Sequence, residues 1–440
     1  MLSLLKHKVF RTLYAAQVVS LLGTGLTTIA LGLLAFELAA GNAGMVLGTA
    51  LAIKMVAYVT VAPLAQALLG RMPVKRLLIS LDLVRAGIVL CLPFVSEIWQ
   101  IYVLVFVLQA ASASFTPSFQ AIIPGILPEK EYTQALSLSR LTYDMENLVS
   151  PSLAVALLMV LPFSGLFVGT AIGFCLSAVF VQMTALPPRQ KPKKIAPFLE
   201  RLTNGSRIYF ATPRLRGLLA LNMAAASGGA MVIVNTVVIV RDSFALSAAQ
   251  VGIGFAAYGI GSMLAAIILP SILAKTGDRL VMVSGAVLLG ITMFSGAVLF
   301  GQTPAFPWLL GLWFFAGLGA SAILTPSGRL LQRSSKPESR PGLFAAQFAL
   351  SHACWLLTYP LAGWLGATYG MQMAFLVLGG ITTVSIGFGL WLWPQRSGGD
   401  MEHRHDDLSA QHPHLKGAQD GAHSHVFVID DLHHRWPTQG

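Results

Sequence analysis

The sequence predicts an all-α membrane protein, with twelve transmembrane helices in two six-helix bundles. Three observations lead there. The first is composition: 55% of the 440 residues are hydrophobic, only 11% are charged, and mean hydropathy is +0.70. A soluble chain of this size carries about 25% charged residues, so an ordinary soluble enzyme is excluded. The second is that the apolar residues gather in runs of roughly 18 to 25 with almost no charge inside, the length a helix needs to cross about 30 Å of hydrocarbon. The third is that the second half of the chain repeats the first.

In order, the runs cover 14–38, 44–69, 77–95, 98–120, 136–160, 163–185, 216–240, 246–273, 280–300, 305–326, 343–367 and 371–393. The first follows Lys6, Lys8 and Arg11 and has no small-residue cleavage signature, which predicts a retained helix and not a signal peptide. With the N-terminus inside, the inner segments hold 21 Lys and Arg and the outer loops only Arg241. That asymmetry places both termini in the cytoplasm. The net charge of +11 and pI near 9.8 therefore serve orientation in the bilayer; no nucleic-acid partner is expected. Cys91, Cys175 and Cys354 each sit in an apolar run without CxxC spacing, which argues against a disulfide framework or a cysteine zinc site. No GxxxxGK[ST] sequence is present, so ATP hydrolysis is not expected.

The long basic break after the sixth run carries eight Lys and Arg between Arg189 and Arg216 and divides the spans six and six. This predicts a bundle over 1–186, a cytoplasmic linker over 187–215, a second bundle over 216–393 and a cytoplasmic tail over 394–440. Internal repetition agrees. Ala111–Ser118 reads ASASFTPS and Ala320–Ser327 reads ASAILTPS, six identities in eight at an offset of 209, and Pro151 and Pro360 are again 209 apart. Two halves in the same orientation are the parallel repeat of a rocking transporter.

Ionisable groups inside apolar spans are costly and mark function. Lys54 in span two and Glu146 in span five fall near the midplane. Asp144 lies roughly 200° round the helix from Glu146 and shares a stripe with Arg140 and Asn147. His352 and Cys354 lie in span eleven, the repeat mate of span five. Asp144, Glu146 and His352 offer oxygen and imidazole ligands that also exchange protons, as carriage of a divalent cation requires, and Lys54 is expected to pair with Glu146 when cargo is absent. The alternative is purely structural: a permanent Lys54–Glu146 bridge, with Asp144 paired to Arg140. Asp82 and Arg85, near the inner end of span three, read as structural.

The tail from Pro394 holds eight of the ten histidines. His403 and His405, His412 and His414, and His423 and His425 have His-x-His spacing, and His433 adjoins His434. Asp406, Asp407, Asp430 and Asp431 stand beside them as oxygen donors. Imidazole suits several divalent metals, so ligand type alone does not name the ion.

The loop Leu69-Gly70-Arg71-Met72-Pro73-Val74-Lys75-Arg76 is similar to the short basic signature loop of the major facilitator superfamily, with Gly70 where an Asp is usual. Arg71, Lys75, Arg76 and Arg279 would then serve gating, with Asp82, Arg85 and Asp278 as substitutes in the interhelical charge lock. The tail, with its closing Val-Phe-Val-Ile-Asp-Asp-Leu-His-His-Arg-Trp-Pro, resembles the histidine-rich C-terminus of bacterial nickel-resistance permeases of that superfamily. The resemblance also touches Lys54 in LAIKMVAYV and the segment LTYDMENLVSP from Leu141 to Pro151. It implies export of nickel, with cobalt as a second cargo, by proton antiport across a bacterial inner membrane, by a monomer without cofactor. Two other readings stay open: an exporter of a small organic molecule, drug or siderophore, and a membrane-anchored metal sensor or store. Twelve spans with midplane charges argue against the last, since anchoring needs one span.

Overall fold

A backbone in hydrocarbon has no water to bond, so each apolar run closes its hydrogen bonds within itself. The structure, a computed structural model, describes residues 2–39, 43–70, 72–186, 197–302, 305–394, 400–404, 422–430, 432–433 and 436. Helices α1 (Lys8–Ala39), α2 (Ala43–Leu69), α3 (Val74–Cys91), α4 (Ile98–Ile122), α5 (Glu129–Leu158) and α6 (Ser164–Met183) form the first half. After α7 (Phe198–Ala211), the second half comprises α8 (Pro213–Val238), α9 (Ala248–Leu273), α10 (Asp278–Phe300), α11 (Phe306–Leu324), the short α12 (Ser327–Arg333) and α13 (Arg340–Leu392).

Among the described residues, ten helical stretches are long and apolar enough to span a membrane. Two adjustments bring the described spans to twelve. The 53-residue α13 turns back at Gly370, whose φ of 83° is a left-handed conformation that a side chain resists, so it is two spans joined at a kink. The 30-residue α5 also crosses, but Arg140, Asp144 and Glu146 lower its hydropathy. These are the spans expected from the sequence, extended by a few residues where polar ends continue a helix beyond its apolar run.

Within the first half, α1 packs on α5 and α6, α3 on α4 and α6, and α2 on α4. In the second, α8 packs on α13, α9 on α11, and α10 on both. Small residues set the closest approach: a Cβ on Gly317 of α11 would collide with the carbonyl oxygen of Tyr258 on α9. The halves meet through α5 against α9, and through α2 and α4 against α13. Phe348 of α13 packs there with Ala62 and Ala113, beside Tyr58 and Val61. The repeat is visible at element level. An offset of 209 from Ile98–Ile122 leads to 307–331, the stretch that α11 and α12 occupy together, although α4 runs through Pro117 unbroken while its mate breaks at Thr325–Pro326.

Two features were not anticipated. The linker segment contains α7, whose Ile208 and Tyr209 are buried and whose Tyr209 hydroxyl donates to Gln347 Oε1 of α13 at 2.6 Å. The tail contains a two-stranded antiparallel ribbon, β1 (Asp400–Arg404) with β2 (Ala422–Val426), on an otherwise helical chain.

Candidate functional site

Three of the charged or titratable residues singled out from the apolar spans converge at mid-depth between the halves. Lys54 of α2 is within electrostatic reach of both Glu146 of α5 and His352 of α13. Its ammonium sits 5.6 Å from the centroid of the Tyr58 ring, one turn further along α2. Among the described residues, Lys54 and Glu146 do not close to salt-bridge distance, so the permanent bridge of the structural alternative is not formed. On the other wall, His352 Nδ1 donates to the Phe348 carbonyl at 2.7 Å. A carbonyl only accepts, so this bond fixes the tautomer and leaves Nε2 as the acceptor of the ring. Tyr58 stands edge-on to His352 with centroids 4.8 Å apart, and Phe348 lies 4.2 Å from the same ring. Beside Glu146, the backbone of α1 comes close: a Cβ on Gly25 would lie 3.4 Å from Glu146 Cγ. A carboxylate, an imidazole with an open nitrogen and an ammonium thus share one aromatic-walled site.

The other candidates in these spans do not join it. Asp144 is 3% exposed and paired with Arg140 at 3.1 Å, and Arg140 Nε donates to Ser262 Oγ of α9 at 3.1 Å. It belongs to a clamp between the halves, because two residues' advance along a helix turns it away from the Glu146 face. Cys354 is buried, with its thiol against the Leu350 carbonyl, and it faces away from His352 for the same reason. The side chain of Asn147 lies outside the described residues.

Further contacts between the halves lie toward the end that carries the linker. Asp278, at the start of α10, accepts from Arg329 Nε and Arg333 Nη1 of α12, each at 3.1 Å. Arg329 reaches across to Thr133 Oγ1 of α5 at 2.9 Å. Arg279 ties α10 to the end of α13 through the Trp393 carbonyl, 2.7 Å from its Nε. Among the described residues, the named side-chain contacts that join the halves lie at or on the linker side of the Lys54 level. Lys75 and Arg76 open α3, and Arg71 is outside the described residues. Asp82 and Arg85, read as structural, pair with each other inside the first half, with the guanidinium between Phe115 and Phe174 at 4.2 and 4.4 Å; among the described residues they do not join the linker-end contacts, where they were also offered as substitutes in the charge lock. Burial of both partners requires that arrangement.

The tail divides into two parts. In the ribbon, the register sets His403 opposite His423 and Met401 opposite His425, so His403, His423 and His425 fall on one face by strand alternation. Their side chains lie outside the described residues, as do His405, Asp406, Asp407, His412, His414, Asp431 and His434 altogether. Among the described residues, no group of three or more His, Cys, Asp or Glu gathers to hold a metal. The closing stretch is docked. Phe427 and Ile429 are 3% and 1% exposed and join the core of the second half. Asp430 and His433, expected to be metal ligands, bond to one another at 2.8 Å here, and Asp430 also takes Lys336 Nζ at 2.5 Å and the backbone N–H of Leu432 at 2.8 Å. Burial opposes the Asp430 charge, but these donors outweigh it and hold its carboxyl well below the usual carboxylate range. Arg214 completes the seat, donating to Ser334 Oγ at 2.7 Å and lying 5.5 Å from the Trp436 ring.

Sequence reasoning missed Tyr58, Phe348, Arg214, Arg329 and Thr133. Tyr58 and Phe348 stand four residues from Lys54 and His352 in sequence, so the i,i+4 rule was the available signal for them. The cross-half partners had none.

Comparisons to known proteins bear on the family and the fold. Over 391 residues the chain is 26% identical to the MFS-type transporter YfiS of Bacillus subtilis (strain 168), covering 85% of this chain and 90% of that one. It is 27% identical over 183 residues to macrolide efflux protein A of Streptococcus pyogenes, 40% of this chain and 45% of that protein. In fold it is similar to the human organic anion transporter MFSD10 (TETRAN), with a TM-score of 0.73 at 12% identity, covering 87% of this chain and 99% of that one. The Major Facilitator Superfamily model matches residues 13–236 and 218–416. The chain, a multi-pass membrane transporter and not an enzyme, belongs to the Major Facilitator Superfamily.

Proposed function

We propose that this chain exports divalent nickel, with cobalt as a second cargo, in exchange for protons across a bacterial inner membrane, with the linker end and both termini in the cytoplasm. The observation that carries the reading is the convergence of Glu146 and His352 on Lys54 at mid-depth. A carboxylate oxygen and an imidazole nitrogen are ligands for a borderline divalent ion, and both exchange protons. With the site empty, Lys54 balances the Glu146 charge. An arriving cation takes the carboxylate and His352 Nε2 and displaces any protons there; protons from the opposite side then displace the cation. The linker-end contacts of Asp278, Arg329 and Thr133 open to admit the cation from the cytoplasm and re-form before protons reach the site from the opposite side. The tail, with eight histidines on the cytoplasmic side, collects the ion near the entrance, since tethering raises its local concentration. The domain boundaries of the sequence reading, 1–186, 187–215, 216–393 and 394–440, are kept in this proposal, as is action as a monomer.

A second reading, export of a small organic molecule, is favoured by the aromatic wall of Tyr58 and Phe348 and by the efflux protein among the relatives. Inside-out vesicles separate the two. With an imposed proton gradient they should accumulate nickel, and collapse of the gradient should abolish accumulation. Vesicles indifferent to nickel and cobalt but accumulating a macrolide or siderophore would move the cargo to the organic class.

A further inference from the structure

The outer face of the second half carries a feature that the transport path does not use. A trench runs between α8 and the two arms of α13, in two stretches of about 560 and 460 Å³ that share Met223, Leu357, Ser385 and Phe388. Its lips are apolar and open to the bilayer, Leu357 being 64% and Phe388 50% exposed. From Gly380 to Leu392 along the second arm of α13, the trench extends about 18 Å at 1.5 Å per residue. That is close to the depth of one leaflet, about 15 Å. The trench ends at the linker side, where Arg216 of α8 and Phe210 of α7 line it. Arg216 Nε is buried there and meets no hydrogen-bond partner among the described residues. Arg207 lies one turn before Phe210 on α7, so a second guanidinium shares the face of that helix that reaches the trench mouth.

An apolar slot one leaflet deep, with an unpartnered guanidinium at its headgroup end, matches one ligand chemistry. The geometry points to a specific site for an anionic phospholipid, with its phosphate on Arg216 and one acyl chain in the trench. A zwitterionic headgroup brings its own cation against two arginines, whereas an anionic one does not, so charge complementarity selects the latter. The site is separate from the transport path but shares an element with it: Cys354 lines the trench on the same arm of α13 whose other side presents His352. A bound lipid therefore braces the helix that carries the imidazole.

Native mass spectrometry of the full chain, released from nanodiscs of mixed phosphatidylglycerol and phosphatidylcholine, tests this. The wild type should retain phosphatidylglycerol in preference. Arg216→Gln should weaken that retention about tenfold, the order carried by one charge-assisted hydrogen bond, while Arg216→Lys keeps most of it. Leu357→Trp, which fills the trench, should lower retention of both lipids. Equal retention of the two lipids by the wild type would overturn the site whether or not Arg216→Gln folds. Undiminished phosphatidylglycerol on a folded Arg216→Gln protein, or on Leu357→Trp, would overturn it as well.

Discussion

Lys54, Glu146 and His352 lie near one another where hydrocarbon would make each costly alone, and in the proposed function they act as a set. Glu146→Gln keeps the size of the side chain and removes its charge and its exchangeable proton. Transport should fall by about two orders of magnitude or more, the scale of a functional carboxylate in a dry site, with the protein still reaching the membrane. His352→Ala should do the same, because Nε2 is the open nitrogen of the ring. Lys54→Ala leaves Glu146 uncompensated; if the pair is only structural, Lys54→Ala with Glu146→Gln should recover much of the loss, and if Glu146 carries protons it should not. Vesicle transport at matched protein levels reads all four. Asp82→Ala is a different case. It orphans the Arg85 charge between two phenylalanine rings, and should lower stability by about 3 to 5 kcal/mol, visible as a lower melting temperature. These charged residues were legible in the sequence because they interrupt apolar runs. Tyr58 and Phe348 were not, because an aromatic residue in a membrane helix is unremarkable until its neighbour across the interface is known.

At the scale of elements, the linker-end contacts and the docked tail have opposite tests. Arg329→Ala removes the bond to Thr133 and one arm of the Asp278 clamp, and should shift the molecule about tenfold toward opening at that end. Accessibility of a cysteine placed at Ser137, buried one turn further along α5, to a membrane-impermeant reagent from the linker side measures it. The docked stretch should be pH-dependent through Asp430. Its carboxyl is held below the ordinary range in the docked state, so it contributes stability that is fully present above the free-chain pKa of about 3.9. That stability is lost as pH falls below this value and the carboxyl protonates, first in the undocked chain. Hydrogen exchange across 427–433 should therefore be slow at neutral pH and faster near pH 3, and Asp430→Asn should show the fast exchange at both. The sequence offered Asp430 and His433 as ligands because ligand pairs and buried ion pairs use the same residue types. Only the position of Lys336 and the buried Phe427 distinguish them. Helix α7 was hidden for another reason: its apolar pattern is 14 residues long and is set among prolines and charges that read as loop.

For the whole molecule, the separation of path from tail makes the remaining prediction. Removing residues 400–440 takes away the ribbon, the remaining histidines and the docked end, yet leaves the mid-depth site and the linker-end clamp of Asp278 intact. Export should drop severalfold at low nickel, where local capture matters, and approach the full-length rate at high nickel. Titrating nickel in vesicles prepared from both chains measures this. Complete loss at every concentration, with Glu146→Gln still active, would place the transport site in the tail.

Twelve spans, their repetition at 209 residues and the residues too polar for their depth follow from the sequence by itself. They depend on local quantities, namely how many apolar residues follow one another and which charges interrupt them, and a helix in hydrocarbon must answer to both. Which polar residues face one another was decided by tertiary structure alone. Glu146 and Asp144 are two positions apart on one helix, yet one lies within electrostatic reach of Lys54 and the other closes a clamp through Arg140 to Ser262. A turn of about 100° per residue fixes their separation around α5, but the packing of α5 against α9 and the placing of α2 beside α13 determine which face lines the path. Those contacts join residues more than a hundred positions apart, and no local pattern encodes them.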